Sequence, residues 1–278
     1  MIEHRRRLWL YALSAVLIAY LVVPVFIVVP MSFSASRFLE FPPTEWSLRW
    51  YARFFASVDW YASMLVSLEV ATATTLIALP TGVAAAYALH GSKSPLIRRL
   101  HPLLMLPMMV PNMIIAIGVF YLYVRWNWVG TFRGLVAAHL MLSIPLVVIT
   151  CLSGLESFDM AQELVARSLG CSRWYAFRRI TLPQIRNSLA IGALFAFITS
   201  FDEVVIALFV ARGENITITK VMFDTLHDEI DPTIAAASSM LIVGSVLIAA
   251  LAVTMTNRIE AANRRTRAGA LEHEAVHP

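Results

Sequence analysis

Six stretches of this chain are apolar and long enough to cross a lipid bilayer, and this pattern limits the possible folds more than any other feature. They cover residues 8–30, 63–89, 100–124, 134–154, 187–211 and 233–256. A helix needs about 20 mainly apolar residues to cross the hydrocarbon core, and backbone polar groups in lipid must be paired inside the protein. The sequence therefore predicts an all-α membrane protein with six transmembrane helices.

The composition agrees with this prediction. The chain is 59% hydrophobic and 14% charged, whereas about 25% of the residues in soluble domains are charged. Most of the 278 residues build the spans, so we predict a single transmembrane domain over residues 1–278. The net charge of +4 does not indicate nucleic-acid binding, because the basic residues are spread over loops and form no aromatic–basic surface.

The distribution of basic residues predicts the orientation. Most arginines fall before the first span, in the loops after the second and fourth spans, and after the sixth span. Loops rich in arginine and lysine stay in the cytosol. We therefore expect a multi-pass membrane protein with both termini, a loop at 157–183 and a frayed tail at 258–278 in the cytosol.

The loop between the fourth and fifth spans is charged and amphipathic. Residues 159–169 carry an incomplete apolar stripe, and Gly170 can supply the left-handed residue that ends a helix. Ser172 is a favourable N-cap for a second short helix over 173–180. Pro183 is expected to end that helix and to fit the first turn of the fifth span. The sequence therefore predicts two short helices that form a knob on the cytosolic face.

This loop resembles the cytoplasmic EAA loop of ABC-importer permeases. That pattern is Glu-Ala-Ala, three residues, Gly, nine residues, Ile, one residue and Leu-Pro. Gly170, Ile180, Leu182 and Pro183 match its second part in spacing. Val165 and Ala166 fill the two alanine positions, while the glutamate position holds Leu164, with Glu163 one place earlier.

In that family the knob fits a groove of an ATPase, which pushes it when the ATPase dimer closes. The resemblance implies ATPase coupling through Glu163, Ala166, Leu169, Gly170, Ile180, Leu182 and Pro183. An ordinary amphipathic cytosolic loop is the alternative interpretation of the same residues.

The chain lacks the Gly-x4-Gly-Lys-Ser/Thr phosphate loop of ATPases. It also shows no metal-ligand spacing and no nucleophile–base pattern, so we expect no catalytic residues, no metal and no cofactor. ATP hydrolysis would then belong to another chain, and this protein would not be an enzyme.

From about residue 8 to 256, the layout is similar to the inner-membrane permeases of spermidine/putrescine importers. The matching local features are Trp50-Tyr51, Pro111-Asn112, His139 with Pro145, residues 200–205 and residues 231–233. The resemblance implies a type I ABC importer permease fold with a cytoplasmic coupling helix, a place in a bacterial inner membrane, and polyamines as the substrate. It also implies a second permease subunit, a dimer of ATP-binding subunits and an extracytoplasmic solute-binding protein as partners, besides the lipid bilayer.

Acidic residues inside the apolar stretches are candidates for the substrate pathway. Asp202 and Glu203 lie in the middle of the fifth span, and Glu69 lies in the outer third of the second. A carboxylate at the membrane centre costs roughly 2.5–3.5 kcal/mol on insertion scales, so it usually has a function. A fixed carboxylate would stabilise a passing cation such as a polyamine.

Two points about these residues stay open. Adjacent helix positions point about 100° apart, so only one of Asp202 and Glu203 is expected to face the pathway. The two carboxylates could instead be structural, paired with His139, Asn112 or a basic residue on the partner permease. Pro111 before Asn112 should break the third span and free carbonyls, which membranes tolerate only towards a cavity or protein. We therefore add Asn112 to the predicted pathway.

Three other functions are alternatives to polyamine import. An ABC permease for another small solute, such as an amino-acid-like or iron-chelate ligand, would share all the features above. A proton-coupled secondary carrier would also use intramembrane carboxylates, but it would not need the knob, and the chain has no visible internal repeat. A membrane enzyme would require a constellation of reactive residues that the sequence does not show.

Overall fold

A computed structural model describes residues 8–92, 94–228, 231–251 and 254, and it is built from helices. The predicted tail at 258–278 and the end of the sixth predicted span lie outside the described residues. The helices are α1 (Leu8–Met31), α2 (Arg49–Ala56), α3 (Val58–Gly91), α4 (Pro95–Met109), α5 (Asn112–Trp126), α6 (Phe132–Glu156), α7 (Ala161–Ser168), α8 (Arg173–Ala176), α9 (Leu182–Gln184), α10 (Arg186–Phe201), α11 (Val205–Val210), α12 (Ile218–Asp228) and α13 (Thr233–Leu251). In the described part of the chain, β pairing is limited to an isolated bridge between Ser34 and Trp46.

The membrane helices follow the predicted spans with two interruptions. Among the described residues, four helices are long and apolar enough to cross a bilayer, namely α1, α3, α6 and α13. Helices α4 and α5 together correspond to the third predicted span, and α10 is a shorter apolar helix in the fifth.

The predicted break of the third span at Pro111 is confirmed. Helix α4 ends at Met109, and Val110 adopts an extended conformation with ψ 133°. Pro111 precedes α5, and the axes of α4 and α5 differ by 100°. Proline disfavours a helical conformation in the residue before it, which explains the end of α4 at this point.

The expectation of one helix over residues 187–211 is wrong. Helix α10 ends at Phe201, residues 202–204 are not helical, and α11 begins at Val205. The interruption coincides with the acidic pair Asp202-Glu203. The helix is interrupted here because two backbone N–H groups of α11 donate to the Glu203 side chain.

The described residues form two compact units. One contains the described residues of 8–63 and 221–246, and the other contains those of 64–220 and 247–254. In the first unit, Arg53 of α2 forms an ion pair of 3.1 Å with Asp231. Asp231 also accepts the backbone N–H of Thr233 at 2.9 Å and thereby caps the beginning of α13.

The second unit holds the candidate site around two buried apolar clusters. One cluster joins α3, α5, α6 and α11, and the other joins α3, α6 and α10. Small residues allow the closest helix contacts, as is usual in membranes. A Cβ atom on Gly82 would lie 2.6 Å from Val147 Cγ1, and one on Gly192 would lie 2.7 Å from Thr150 Oγ1. These contacts fix the membrane helices from which the coupling segment extends.

Candidate coupling segment and intramembrane carboxylates

Residues 157–183, called the coupling segment below, form two short helices as predicted. The first is α7, and the second is α8, which continues directly into a π-helical turn at Phe177–Thr181. The side chain of Ser172 accepts the backbone N–H of Tyr175 at 3.2 Å, which confirms its predicted role as an N-cap. The π turn was not predicted. Such turns are rare and occur frequently at functional sites.

Gly170 ends α7 in the predicted left-handed conformation. Its φ is +92°, a value that side chains disfavour. The N–H of Cys171 donates to the carbonyl of Ala166 at 3.1 Å, and the N–H of Gly170 donates to that of Arg167 at 3.1 Å. This pair of bonds is a Schellman motif, which satisfies the last carbonyls of a helix. It fixes the angle at which the chain leaves α7 for α8.

Pro183 does not end the second helix, contrary to the prediction. It is the second residue of α9, which follows the π turn without a break. The helical path is interrupted two residues later, at Ile185, whose φ and ψ are −92° and 12°. A proline is tolerated in the first turn of a helix because its missing N–H is not needed there.

Glu163 lies inside the coupling segment rather than on its surface, with 2% of the residue exposed. The hydroxyl of Tyr87, near the end of α3, donates to Oε1 of Glu163 at 2.5 Å. The hydroxyl of Thr181, in the π turn, donates to Oε2 at 2.8 Å. Hydrogen bonds to a charged group are stronger than neutral ones. The carboxylate therefore ties α7 both to α3 and to the π turn.

Arg173 and two aromatic rings complete this junction. The Nε of Arg173 donates to the Tyr87 hydroxyl at 3.3 Å, and its guanidinium carbon lies 5.1 Å from the centroid of the Tyr87 ring. The Tyr87 ring in turn packs on Phe177, with 4.6 Å between ring centroids. The hydrogen bond with Tyr87 raises the pKa of Arg173, so the guanidinium remains charged at any physiological pH.

Tyr87, Thr181 and Arg173 were not predicted as site residues. Tyr87 precedes Glu163 by 76 residues, and no local pattern links the two positions. Thr181 and Arg173 lie within the loop motif but at its variable positions. A buried carboxylate requires hydrogen-bond donors. This requirement is the signal that points to hydroxyl groups as partners of Glu163.

Several large apolar side chains of the coupling segment are exposed, namely Leu164, Val165, Leu169, Trp174 and Tyr175. Trp174 lies on the side of the Tyr87 junction, where its ring packs on Phe177 with 5.7 Å between ring centroids. Of the other predicted coupling residues, Gly170 and Pro183 are exposed, and Ala166, Ile180 and Leu182 are half-buried. Ile180 and Leu182 pack against the core cluster of α3, α6 and α10.

The two adjacent carboxylates of the fifth span have different environments. Glu203 is buried, and its Oε2 accepts the N–H groups of Ile206 at 2.8 Å and Ala207 at 3.1 Å. A negative side chain at this place satisfies the unpaired donors of the first turn of α11 and complements the helix dipole. At the other end of α11, Lys220 Nζ donates to the carbonyls of Leu208 at 3.3 Å and Ala211 at 3.0 Å.

Asp202, Glu69 and Asn112 have exposed side chains. Among the hydrogen bonds and ion pairs of the described residues, none involves the Asp202 or Glu69 carboxylate. Glu69 lines an open hollow of about 410 Å³ together with Thr72 and Phe132. Within the described residues Glu203 does not pair with His139 or Asn112, since its carboxylate accepts backbone N–H groups. His139 Nδ1 pairs with Ser200 Oγ at 2.8 Å. No contact brings the four predicted pathway residues together in the described structure.

Comparison with known proteins identifies relatives over the same region. The sequence profile of the family described as "Binding-protein-dependent transport system inner membrane component" matches residues 78–261. This range includes the whole coupling segment and the interrupted fifth span.

The relatives include two transport permeases. The spermidine/putrescine transport system permease protein PotC of Haemophilus influenzae is 27% identical over 248 residues, which are 89% of this chain and 96% of that protein. The molybdate/tungstate transport system permease protein WtpB of Thermococcus kodakarensis is 35% identical over 145 residues, which are 52% of this chain and 58% of that protein.

A solved structure shares the fold. A chain of a bacterial ABC transporter involved in the import of the acidic polysaccharide alginate superposes with a TM-score of 0.73. The superposition covers 92% of this chain and 97% of that chain, at 16% sequence identity. This likeness concerns the fold alone, and it confirms the predicted fold class of an importer permease.

Proposed function

The chain belongs to the family of binding-protein-dependent transport system inner membrane components, and we propose that it is one of two transmembrane subunits of an ABC importer for polyamines. The observation that carries the proposal is the similarity to a spermidine/putrescine permease over 89% of this chain. Membership of this family makes the chain a multi-pass protein of the inner membrane that works with a binding protein.

The coupling segment is the proposed contact with the ATPase. It presents exposed apolar side chains, among them Leu169 with 81% and Val165 with 58% exposure. The Schellman motif at Gly170 and the Ser172 cap give the segment a fixed shape. A rigid apolar knob on a cytosolic surface suits the groove of a partner that closes and opens.

The remaining subunits follow from what the chain lacks and from its family. Its sequence has no phosphate loop, so a separate dimer of ATP-binding subunits hydrolyses ATP and this chain catalyses nothing. A second permease completes the channel, and an extracytoplasmic protein delivers the substrate. Both termini and the coupling segment face the cytosol in this arrangement.

Asp202 is the best candidate for a contact with the cation. It lies at the end of α10, its side chain is exposed, and no hydrogen bond or ion pair of the described residues neutralises it. Glu203 is less suited, because its carboxylate already accepts two backbone N–H groups. Glu69 and Asn112, both exposed, are further candidates along the same pathway.

Oxyanion import is the second candidate function, and the 35% identity to a molybdate/tungstate permease favours it. That similarity covers 52% of this chain, whereas the similarity to PotC covers nearly all of it. An unneutralised carboxylate in a low-dielectric pathway repels an anion and attracts a cation. Polyamine import is therefore the better explanation of Asp202.

Uptake by the reconstituted complex tests both candidates. The complex of this chain with its partner permease, ATPase and binding protein would be placed in liposomes with ATP inside, on the ATPase side. Labelled putrescine and spermidine should accumulate, and labelled molybdate should not. Accumulation of molybdate without uptake of polyamines would support the oxyanion importer. Uptake that survives ATP depletion and follows a proton gradient would support the secondary carrier.

A further inference from the structure

Tyr87 occupies a position from which the membrane helix α3 can follow movements of the coupling segment. We propose that Tyr87, Glu163, Arg173 and Thr181, together called the Tyr87 latch, transmit the movement of the coupling segment into α3. This inference rests on the proposed function as an ATP-driven permease. It assigns positioning roles to Tyr87 and Thr181, and it gives Glu163 a role inside the protein instead of on the ATPase surface.

All three parts of the coupling segment meet on this one tyrosine. Glu163 comes from α7, Arg173 from α8 and Phe177 from the π turn. Tyr87 donates a hydrogen bond to Glu163, accepts one from Arg173 and packs its ring on Phe177. A displacement of either short helix therefore acts directly on the cytosolic end of α3.

The burial of Glu163 makes the latch stiff. The carboxylate is 2% exposed, and each of its oxygens accepts one hydroxyl. Separating α7 from α3 would leave a buried charge with an unpaired oxygen, which costs more than an ordinary hydrogen bond contributes. The segment and the helix end are therefore expected to move as one body.

The other attachments of α7 are weaker or less directional. Gln184 Nε2 donates to Gln162 Oε1 at 2.6 Å, but this pair is exposed and water can replace it. Met160, at the start of α7, packs on the core by apolar contact, and apolar burial is not directional. The latch is thus the polar connection that defines the orientation of α7 relative to α3.

Conservative variants separate transmission from folding. Tyr87→Phe removes the hydroxyl and keeps the ring on Phe177, and Thr181→Val removes the other donor at nearly constant volume. Thr181→Ser keeps that donor and should restore function. Tyr121→Phe is the matched control, because Tyr121 lies on α5 with 70% of its surface exposed.

The first readout is the amount of substrate taken up per ATP hydrolysed by the reconstituted complex. Because a hydrogen bond to a charged group is worth more than one to a neutral group, we expect this ratio to fall about tenfold in Tyr87→Phe and in Thr181→Val. ATP hydrolysis, complex yield and co-purification with the ATPase should remain at wild-type values. Thr181→Ser and Tyr121→Phe should keep the wild-type ratio.

The second readout is a distance between spin labels at Ala88 of α3 and Ser168 of α7, which are both exposed. Cys151 and Cys171 would first be replaced by serine or alanine. In the wild-type complex the distance should be the same with and without ATP. In Tyr87→Phe it should change or broaden when ATP binds.

The outcomes distinguish the latch from the proposed function. A wild-type uptake ratio in both Tyr87→Phe and Thr181→Val, or a label distance in the wild type that changes with ATP, would overturn the latch. A loss of uptake that only parallels a loss of complex yield would show a merely structural role and would also overturn it. Failure of the wild-type chain to bind an ATPase or to need ATP would instead overturn the proposed function.

Discussion

Replacing Glu203 by alanine should destabilise the protein, because this side chain starts α11. Its Oε2 accepts the N–H groups of Ile206 and Ala207 in a buried environment. Alanine would leave both donors unpaired, at roughly 1–3 kcal/mol each. Part of this loss is offset because a buried carboxylate no longer has to be desolvated. We expect a net loss of about 2–3 kcal/mol, at or just above the upper end of about 2 kcal/mol for N-cap replacements, because two donors lose their acceptor.

The matched variants make this estimate testable. Glu203→Gln keeps an oxygen that can accept the same two bonds and loses only the favourable charge at the N-terminus of the helix, worth about 0.3–1 kcal/mol. Asp202→Asn changes a neighbouring side chain that is exposed and lacks a hydrogen-bond or ion-pair partner among the described residues. It should leave stability unchanged and reduce polyamine uptake about tenfold, the effect of about 1.4 kcal/mol.

The assay is thermal unfolding of the purified complex, followed by uptake normalised to the amount of inserted complex. For a domain of this size, about 2–3 kcal/mol corresponds to a fall in the melting temperature of roughly 4–12 °C. The reasoning about the cap is refuted if Glu203→Ala unfolds at the wild-type temperature. Normal uptake by Asp202→Asn would show that the substrate does not need this carboxylate.

Three further predictions concern the turn, the helix packing and the topology. Gly170→Asp should insert into the membrane normally but lose ATP-driven uptake. A side chain at φ +92° would destabilise the turn between α7 and α8 by about 1–2 kcal/mol. Wild-type uptake in vesicles would contradict this. Gly192→Val should lower the yield of complex, because the added side chain overpacks against Thr150 at a cost of about 1–3 kcal/mol. Gly118→Val should keep the yield, because no atom lies within 4 Å of the added Cβ. Equal yields of the two variants would show that α10 can shift. A cysteine introduced at Asp224 should react with an impermeant thiol reagent in intact cells and one at Arg265 only after permeabilisation, and the reverse pattern would invert the proposed orientation.

The local features of the site could be predicted because they depend on neighbours in the sequence. Pro111 breaks its span since proline lacks an N–H and constrains the preceding residue. Gly170 and Ser172 act within the turns that they end and begin. The cap by Glu203 is also local, because its carboxylate accepts N–H groups that lie three and four residues further along the chain.

The sequence by itself determined that the chain crosses a membrane in helices, where two of its turns lie and which family pattern the coupling segment follows. These properties come from hydropathy, backbone conformation and short-range hydrogen bonds, all of which are encoded within a few residues. Only the tertiary structure decided that Glu163 is internal and that Tyr87, 76 residues earlier, donates to it. The pairing of Glu163 depends on which distant side chain occupies the space beside a buried charge, and this is fixed only when the helices pack.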